Sequence, residues 1–138
     1  MKLSPKIKKI WKEAVKAQKF AYAPYSKFKV GAAFSSDGKI FAGCNVENAS
    51  YGATICAERG AVLKALSEGH QKIEDLVVVT PTKKGAPPCA LCLQVLSEFA
   101  DPHLKIWIAT SKAIHSQIRL KDLLTVPFLK KDLKNKTQ

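Results

Sequence analysis

C-A-E-R at residues 56–59 and P-C-A-L-C at residues 88–92 mark the two ends of the segment around which this sequence is organised. Together they supply three thiols, from Cys56, Cys89 and Cys92. Thiolates are preferred ligands of tetrahedral zinc, and a catalytic zinc site keeps its fourth position for water. The three cysteines are therefore predicted to hold one zinc ion. Glu58, two residues after the first ligand, is predicted to be the catalytic proton carrier beside that position.

The segment between the motifs predicts a helix, a buried strand and a second helix. Apolar residues after Cys56 favour a largely buried helix that ends near Gly69, with Thr54 as its N-cap. The all-apolar run from Leu76 is typical of a central strand, and a second helix is expected over residues 89–99. Both ligand motifs then lie at helix N-termini. Their partial positive charge offsets the excess negative charge of three thiolates on Zn²⁺, and Arg59 can donate to the sulfurs as well.

The flanking residues complete an α/β pattern. An amphipathic helix is predicted over residues 5–22 with Ser4 as its cap, followed by strands at 27–36 and 39–46 joined by a tight Asp-Gly turn. Further strands are predicted at residues 104–110 and 114–120, the last at a sheet edge. The order β-β-α-β-α-β-β predicts a mixed five-stranded sheet sandwiched by helices, in a single domain over residues 1–138. The tail at about 130–138 is expected to be frayed.

Composition leaves several partners open. The 138 residues carry a formal charge of +12, from 23 Lys and Arg against 11 Asp and Glu, which suits nucleic acid, an anionic surface or solubility alone. The lysines of the first helix are interpreted as a solvated face. The chain has four cysteines and begins without a signal-peptide pattern, so a reducing cytoplasm is expected. With no apolar run near the roughly 20 residues of a membrane span, no membrane role is expected.

Two residues before the metal motif, Asn45 and Glu47, have side chains that could hold a ligand with hydroxyl groups. Asn45 and Glu47, two apart on a strand or its extension, project to one side, where they could grip vicinal hydroxyls, whereas Glu47 would repel a phosphate. Taken singly, Asn45 could equally be a turn residue, Glu47 a surface carboxylate and Phe28 ordinary core.

From A-Y-A-P-Y-S at residue 21 to Phe128, the chain closely resembles the small, homotetrameric cytidine deaminases that act on free nucleosides. The metal motif is joined by F-K-V-G-A-A at residues 28–33 and N-V-E-N-A-S-Y at residues 45–51. The resemblance implies one Zn²⁺ per subunit and hydrolytic deamination of cytidine and deoxycytidine to uridine and deoxyuridine in pyrimidine salvage. It also implies a homotetramer with shared active sites, a nucleoside substrate and no nucleic-acid partner.

The same resemblance assigns substrate contacts. Phe28 would pack against the pyrimidine, Asn45 and Glu47 would hold the ribose hydroxyls, and the Ala57 backbone would contact the base edge. Phe128 would reach a neighbouring subunit's active site. The remaining substrate-binding residues implied are Val46, Asn48, Ala49, Ser50 and Tyr51.

The chain departs from the family pattern at four positions. Ala90 and Leu91 replace a Gly and a small residue between the paired cysteines, and Thr125 stands where Pro is usual. Leu93 replaces the common Arg after the second cysteine, which leaves Arg59 and the helix termini to balance the thiolates. A shifted acidity of the zinc-bound water is inferred, with the site retained.

Other interpretations compete with this one. A closed structural zinc site would need a fourth protein ligand from Cys44, His70, His103 or His115. Cys44 is interpreted instead as a buried free thiol, His70 and His103 as surface residues, and His115 as part of an edge strand. Rival functions are a polynucleotide deaminase, a basic binding protein with structural zinc, and a deaminase of nucleoside antibiotics such as blasticidin S.

Overall fold

The computed structural model describes residues 1–134. Its strands are β1 (Gly31–Ser36), β2 (Lys39–Cys44), β3 (Glu74–Val79), β4 (Lys105–Ala109) and β5 (Ile114–Arg119). Its helices are α1 (Pro5–Gln18), α2 (Ala57–Ser67), α3 (Ala90–Phe99), α4 (Leu120–Leu123) and α5 (Lys130–Lys134). The predicted order of strands and principal helices is confirmed.

Helix α1 begins as predicted and ends earlier than predicted. The Ser4 hydroxyl accepts from the Ile7 amide at 3.3 Å, so Ser4 is the N-cap. The predicted extension to Tyr22 is wrong, because the backbone of Tyr22 pairs with another segment. Its amide donates to the Asn45 carbonyl at 3.0 Å and its carbonyl accepts from the Glu47 amide at 2.8 Å. Tyr22 thus joins a β-bridge and cannot continue a helix.

The five strands form one mixed sheet in the order β2-β1-β3-β4-β5. Only β3 and β4 run parallel, and the other neighbours are antiparallel. The turn between β1 and β2 has φ of 48° at Asp37 and 82° at Gly38, as a two-residue hairpin with both central residues at positive φ requires. The hairpin and the edge position of β5 are both confirmed.

Helices cover both faces of the sheet. On one face, α2 and α3 enclose a core with Phe34, Phe41, Leu76 and Ile106. On the other face, α1 packs Ile7, Ile10 and Ala14 against residues that include Ala33, Val77 and Trp107. Burial of this apolar surface on both sides is the main force that holds the layers together.

A glycine sets the distance between β2 and the first turns of α2. A Cβ atom at Gly43 would lie 2.5 Å from the Ala61 nitrogen and 2.7 Å from the Ala57 oxygen. Only a residue without a side chain lets the two backbones approach so closely. This contact seats the beginning of α2, where Glu58 lies, directly on the sheet.

The end of the chain is more ordered than predicted. The predicted frayed segment begins at residue 130, but residues 130–134 form α5, where the Lys130 ammonium lies 3.3 Å from the Glu98 carboxylate. The Leu129 amide also donates to the Asp132 carboxylate at 2.8 Å. Residues 135–138 lie outside the described residues. Within residues 1–134, no helix is both long enough and apolar enough to cross a membrane.

Candidate metal centre and active site

The three thiols of the sequence motifs meet at the beginnings of two helices. Cys56 is the N-cap residue of α2, Cys89 is the N-cap residue of α3, and Cys92 lies in the first turn of α3. The prediction of Thr54 as the N-cap of α2 is wrong. Thr54 ends a short 3₁₀ turn over Tyr51–Ala53, and the extended Ile55 then pairs with Val46 before the helix begins.

The spacing of the sulfurs fits zinc. The Sγ atoms of Cys56, Cys89 and Cys92 all lie within 4.8 Å of one another, and those of Cys56 and Cys89 are 3.8 Å apart. A tetrahedral ion with Zn–S bonds of about 2.3 Å needs ligand sulfurs about 3.8 Å apart. Across residues 1–134 this is the only such group of three or more possible ligands. The donor set therefore suits a zinc ion with three protein ligands and one open position.

Glu58 lies beside the sulfurs in the first turn of α2. Its side chain is buried, with the residue only 4% exposed, and the Cys92 thiol donates to its Oε2 atom at 3.7 Å. Burial raises the pKa of the Glu58 carboxyl above its ordinary value, and the nearby Cys56 charge adds to this effect. A carboxyl with a raised pKa keeps its proton more readily than an exposed one and can still release it, which is what a general acid and base must do.

One arginine and two helix termini compensate the charge of the thiolates. Arg59 Nη2 lies 3.4 Å from the Cys56 Sγ atom and 3.4 Å from the Thr54 carbonyl oxygen. The neighbouring Cys92 thiol, and then the Arg59 guanidinium, lower the pKa of Cys56 to about 5 despite its partial burial. The pKa of Cys92 is raised, first by the adjacent Cys56 and then by burial. Arg59 and the first turn of α2 therefore favour the thiolate form of Cys56.

Leu93, where the family resemblance leads us to expect an arginine, is a core residue. Its side chain is buried in the core under α3, away from solvent. A charged guanidinium in that apolar position would be costly. Arg59 is consequently the cation whose hydrogen bond reaches a site sulfur in the described chain.

A cavity of about 380 Å³ opens in front of this centre. It is wide enough for a small ligand, and both apolar and polar groups reach it. Several of the residues singled out from the sequence line it: Phe28, Asn45, Glu47, Cys56, Ala57, Glu58 and Cys89. Cys92 lies behind this wall, fully buried.

Asn45 and Glu47 bind the chain's own backbone in addition to facing the cavity. The Asn45 side chain accepts from the Val30 amide at 2.8 Å and donates to the Phe28 carbonyl at 2.7 Å. The Glu47 carboxylate accepts from the amides of Tyr25 and Ser26 at 3.0 and 3.1 Å. The two predicted ribose ligands thus also hold the loop that carries Phe28. Their ribose contacts stay a prediction.

The other predicted substrate residues lie outside the cavity lining. Val46 is exposed and pairs with Ile55 through backbone hydrogen bonds. Asn48 and Tyr51 line a neighbouring cleft of about 350 Å³, which shares Ser26, Glu47 and Thr54 with the main cavity. The remaining members of this set are all exposed on the surface: Ala49, Ser50 and Phe128. Their roles toward substrate stay predictions too.

Sequence reasoning missed several residues of the cavity lining. Ser26 and Thr80 are two of them, and both carry hydroxyl groups. Ser26 lies in the A-Y-A-P-Y-S stretch, where the family resemblance begins but to which no site role was assigned. Thr80 follows the apolar strand β3, and a polar residue at the carboxyl end of such a strand was a usable signal.

The alternative zinc ligands do not approach the sulfurs. Cys44 is half-buried in β2, and burial raises the pKa of its thiol. The His70 ring packs on Phe41 with 4.9 Å between ring centroids, and His115 lies on β5 beside the Thr110 hydroxyl. His103 is exposed near the start of β4. Within residues 1–134, none of them belongs to the metal-binding group.

Three thiols with one open coordination position, a buried acid beside them and a cavity in front define a zinc-dependent hydrolytic enzyme on an α/β fold. A family model, the cytidine and deoxycytidylate deaminase zinc-binding region, matches residues 4–108. A cytidine deaminase of Halalkalibacterium halodurans is 42% identical over 123 residues, which cover 88% of this chain and 93% of that protein. A cytidine deaminase of Sporosarcina psychrophila is 41% identical over 92% of this chain and 94% of its own length.

Solved structures agree with the sequence relatives. The cytidine deaminase of Burkholderia pseudomallei superposes with a TM-score of 0.84 at 40% identity, covering 91% of this chain and all of that one. That of Mycobacterium tuberculosis superposes with a TM-score of 0.77 at 38% identity, over 88% and 95% of the two chains. The chain therefore belongs to the cytidine and deoxycytidylate deaminase family, and it is a zinc-dependent hydrolytic deaminase.

Proposed function

We propose that this protein converts free cytidine and deoxycytidine to uridine and deoxyuridine, with water consumed and ammonia released. The observation that carries the proposal is the position of Glu58. It is buried against the sulfur of Cys92 and lines the cavity with Cys56 and Cys89. An acid held there can serve both the attacking water and the base of a bound nucleoside.

The residues of the chain would perform the proton transfers. Zinc, when bound by Cys56, Cys89 and Cys92, supplies a water of lowered pKa as the nucleophile. Glu58 would take a proton from the attacking water and pass it to ring N3, which makes C4 electrophilic, and the hydroxide that remains would add to C4. Glu58 would then take the remaining proton of that oxygen and give it to the amine, so that the C4–N bond breaks, ammonia leaves and C4 becomes a carbonyl. The same carboxyl thus acts as base and as acid.

The walls of the cavity would orient the substrate for these transfers. Phe28, 39% exposed at the cavity, offers an apolar face to the pyrimidine ring. Asn45 and Glu47 retain hydrogen-bonding capacity beyond their loop contacts, since a carboxylate has about four acceptor positions and a carboxamide has two donors. They would hold the ribose hydroxyls. The Glu47 charge disfavours a phosphate at this end, which supports a nucleoside over a nucleotide and over nucleic acid.

The proposal also covers the oligomeric state of the protein and its cellular location. We expect a homotetramer with one zinc ion per subunit and shared active sites, in the cytoplasm and in pyrimidine salvage. Phe128 supports sharing, because it is 59% exposed and lies outside its own cavity lining while its backbone is held in place. An exposed aromatic on an ordered segment suits contact with a second subunit.

A substrate assay before and after chelation tests the proposal. Purified protein is incubated with cytidine, deoxycytidine, cytidine monophosphate or a single-stranded oligonucleotide, and loss of cytosine absorbance and ammonia release are both followed. Turnover of the nucleosides alone, abolished by complete chelation and restored by zinc, is expected. Activity that survives metal removal would overturn the chemistry, and preferred turnover of the oligonucleotide would overturn the substrate.

A further inference from the structure

The loop at residues 23–29 carries Phe28 to the cavity and is held at both ends by one short segment. At its start, the backbone of Tyr22 pairs with Asn45 and Glu47. At its end, the Asn45 side chain bonds the Phe28 carbonyl and the Val30 amide. The segment Asn45–Glu47 therefore holds both ends of this loop in place through hydrogen bonds.

The middle of the loop is strained. Lys27 has φ of 60°, in the left-handed region that a residue with a side chain rarely adopts. Such a conformation is unfavourable for a residue with a side chain and persists only where its surroundings hold it. Lys27 lies between Ser26 and Phe28, so whatever holds the strained turn also sets the direction of the Phe28 ring.

The Ser26 hydroxyl makes the contacts that hold this turn. It donates to Glu47 Oε2 in a short hydrogen bond and accepts from the Phe28 amide at 3.0 Å. The Ser26 amide meanwhile donates to Glu47 Oε1 at 3.1 Å. One hydroxyl thus joins the carboxylate of Glu47 to the backbone of Phe28 across the strained residue.

We propose that Ser26 is a positioning residue of the active site, which fixes Glu47 and Phe28 relative to each other before substrate arrives. This inference rests on the proposed function, in which these two residues contact the ribose and the pyrimidine. Ser26 acts on substrate through them and takes no part in proton transfer. Its loss therefore weakens substrate binding and leaves the chemical step at Glu58 largely intact.

The hydrogen bonds of Ser26 set the size of the effect. A hydrogen bond to a charged group contributes about 1.5 to 3 kcal/mol, which corresponds to roughly ten- to hundredfold in binding. Ser26→Ala should therefore raise KM for cytidine about tenfold or more, with kcat within about threefold of the wild-type value. Ser26→Thr keeps the hydroxyl and should restore most of the lost affinity. Ser67→Ala, which removes an exposed hydroxyl bonded to the Lys64 carbonyl, is the matched control and should leave both constants unchanged.

Amide hydrogen exchange of the zinc-loaded, substrate-free proteins gives a second readout that does not depend on activity. In Ser26→Ala the Phe28 amide loses its acceptor and should exchange at least several-fold faster. The Val30 amide, held by Asn45, should keep its rate. Unchanged exchange at Phe28 would overturn the positioning role whether or not the protein deaminates cytidine.

The kinetic outcomes separate the two proposals. A wild-type protein that does not deaminate cytidine would refute the proposed function. The exchange data would still test the contact between the Ser26 hydroxyl and the Phe28 amide. An active wild type with an unchanged Ser26→Ala variant would refute the role of Ser26 alone. A Ser26→Ala variant that loses kcat with KM unchanged would also refute it, as would a Ser26→Thr variant as impaired as Ser26→Ala.

Discussion

Gln94 holds the backbone of Phe128 with both ends of its carboxamide. Its Nε2 atom donates to the Phe128 carbonyl at 2.7 Å, and its Oε1 atom accepts from the Phe128 amide at 3.2 Å. Gln94 lies on α3, two residues after Cys92. The metal-binding helix thus also orders the exposed aromatic at the end of the chain.

Gln94→Ala should weaken substrate binding without loss of zinc. Two neutral hydrogen bonds contribute about 0.5 to 1.5 kcal/mol each, or about 1 to 3 kcal/mol together, so a rise in KM for cytidine of roughly five- to hundredfold is expected if Phe128 completes a neighbouring active site. Steady-state kinetics and zinc content are measured for Gln94→Ala, Phe128→Ala and the double variant. The double variant should be no worse than Phe128→Ala, since Gln94 acts through Phe128. Fully additive losses would contradict this coupling.

Glu58→Gln should bind zinc and be nearly inactive. The carboxamide keeps the shape of the side chain but cannot carry protons, so turnover should fall by several orders of magnitude. Bound zinc is counted by atomic absorption beside the turnover assay. Wild-type turnover in a fully zinc-loaded variant would reject Glu58 as the proton carrier.

Cys89→Ala should lose the metal and much of the stability of the fold. The thiol joins the beginning of α3 to that of α2, so its removal breaks a link between two helices as well as a ligand set. Thermal unfolding and zinc stoichiometry are compared with Cys44→Ala, which removes a thiol outside the metal group. Cys44→Ala should retain one zinc per chain, and a full zinc equivalent in Cys89→Ala would exclude Cys89 as a ligand.

The contribution of Glu47 to stability should depend on pH. The side-chain and backbone hydrogen bonds of Ser26 lower the pKa of the Glu47 carboxyl below its ordinary value of 4.5. The unfolded chain therefore binds the proton at higher pH than the folded one. The stabilisation is fully present above that ordinary value and is lost as pH falls through the folded pKa.

Glu47→Gln tests the direction of this pH dependence of stability. In the metal-free proteins, the variant should be less stable than wild type near pH 7, and the difference should shrink at about pH 3. Urea unfolding at both pH values measures it. A difference that grows on acidification would contradict the assigned direction of the pKa shift.

Local patterns made much of the fold readable in advance. Asp-Gly favours a tight turn with positive φ at both residues, so the β1–β2 hairpin could be predicted. The apolar run of β3 favours a strand covered on both faces, so its central place in the sheet could be predicted too. The end of α1 was misplaced because Tyr22 pairs with Asn45 and Glu47, more than twenty residues away in sequence. Thr54 was misjudged as a cap for a similar reason, since Ile55 pairs with Val46. No local signal reports a pairing partner so distant.

The spacing of Cys56, Glu58, Cys89 and Cys92 was enough to predict a zinc site with a proton carrier beside it, because three thiols at this spacing suit tetrahedral zinc. Only the tertiary structure decided which side chains surround that centre. Asn45 and Glu47 turned out to hold the loop of Phe28, Ser26 to join Glu47 to the Phe28 backbone across a strained residue, and Leu93 to be buried in the core. These relations arise from close packing and long-range hydrogen bonds, which bring together residues that the chain itself keeps apart.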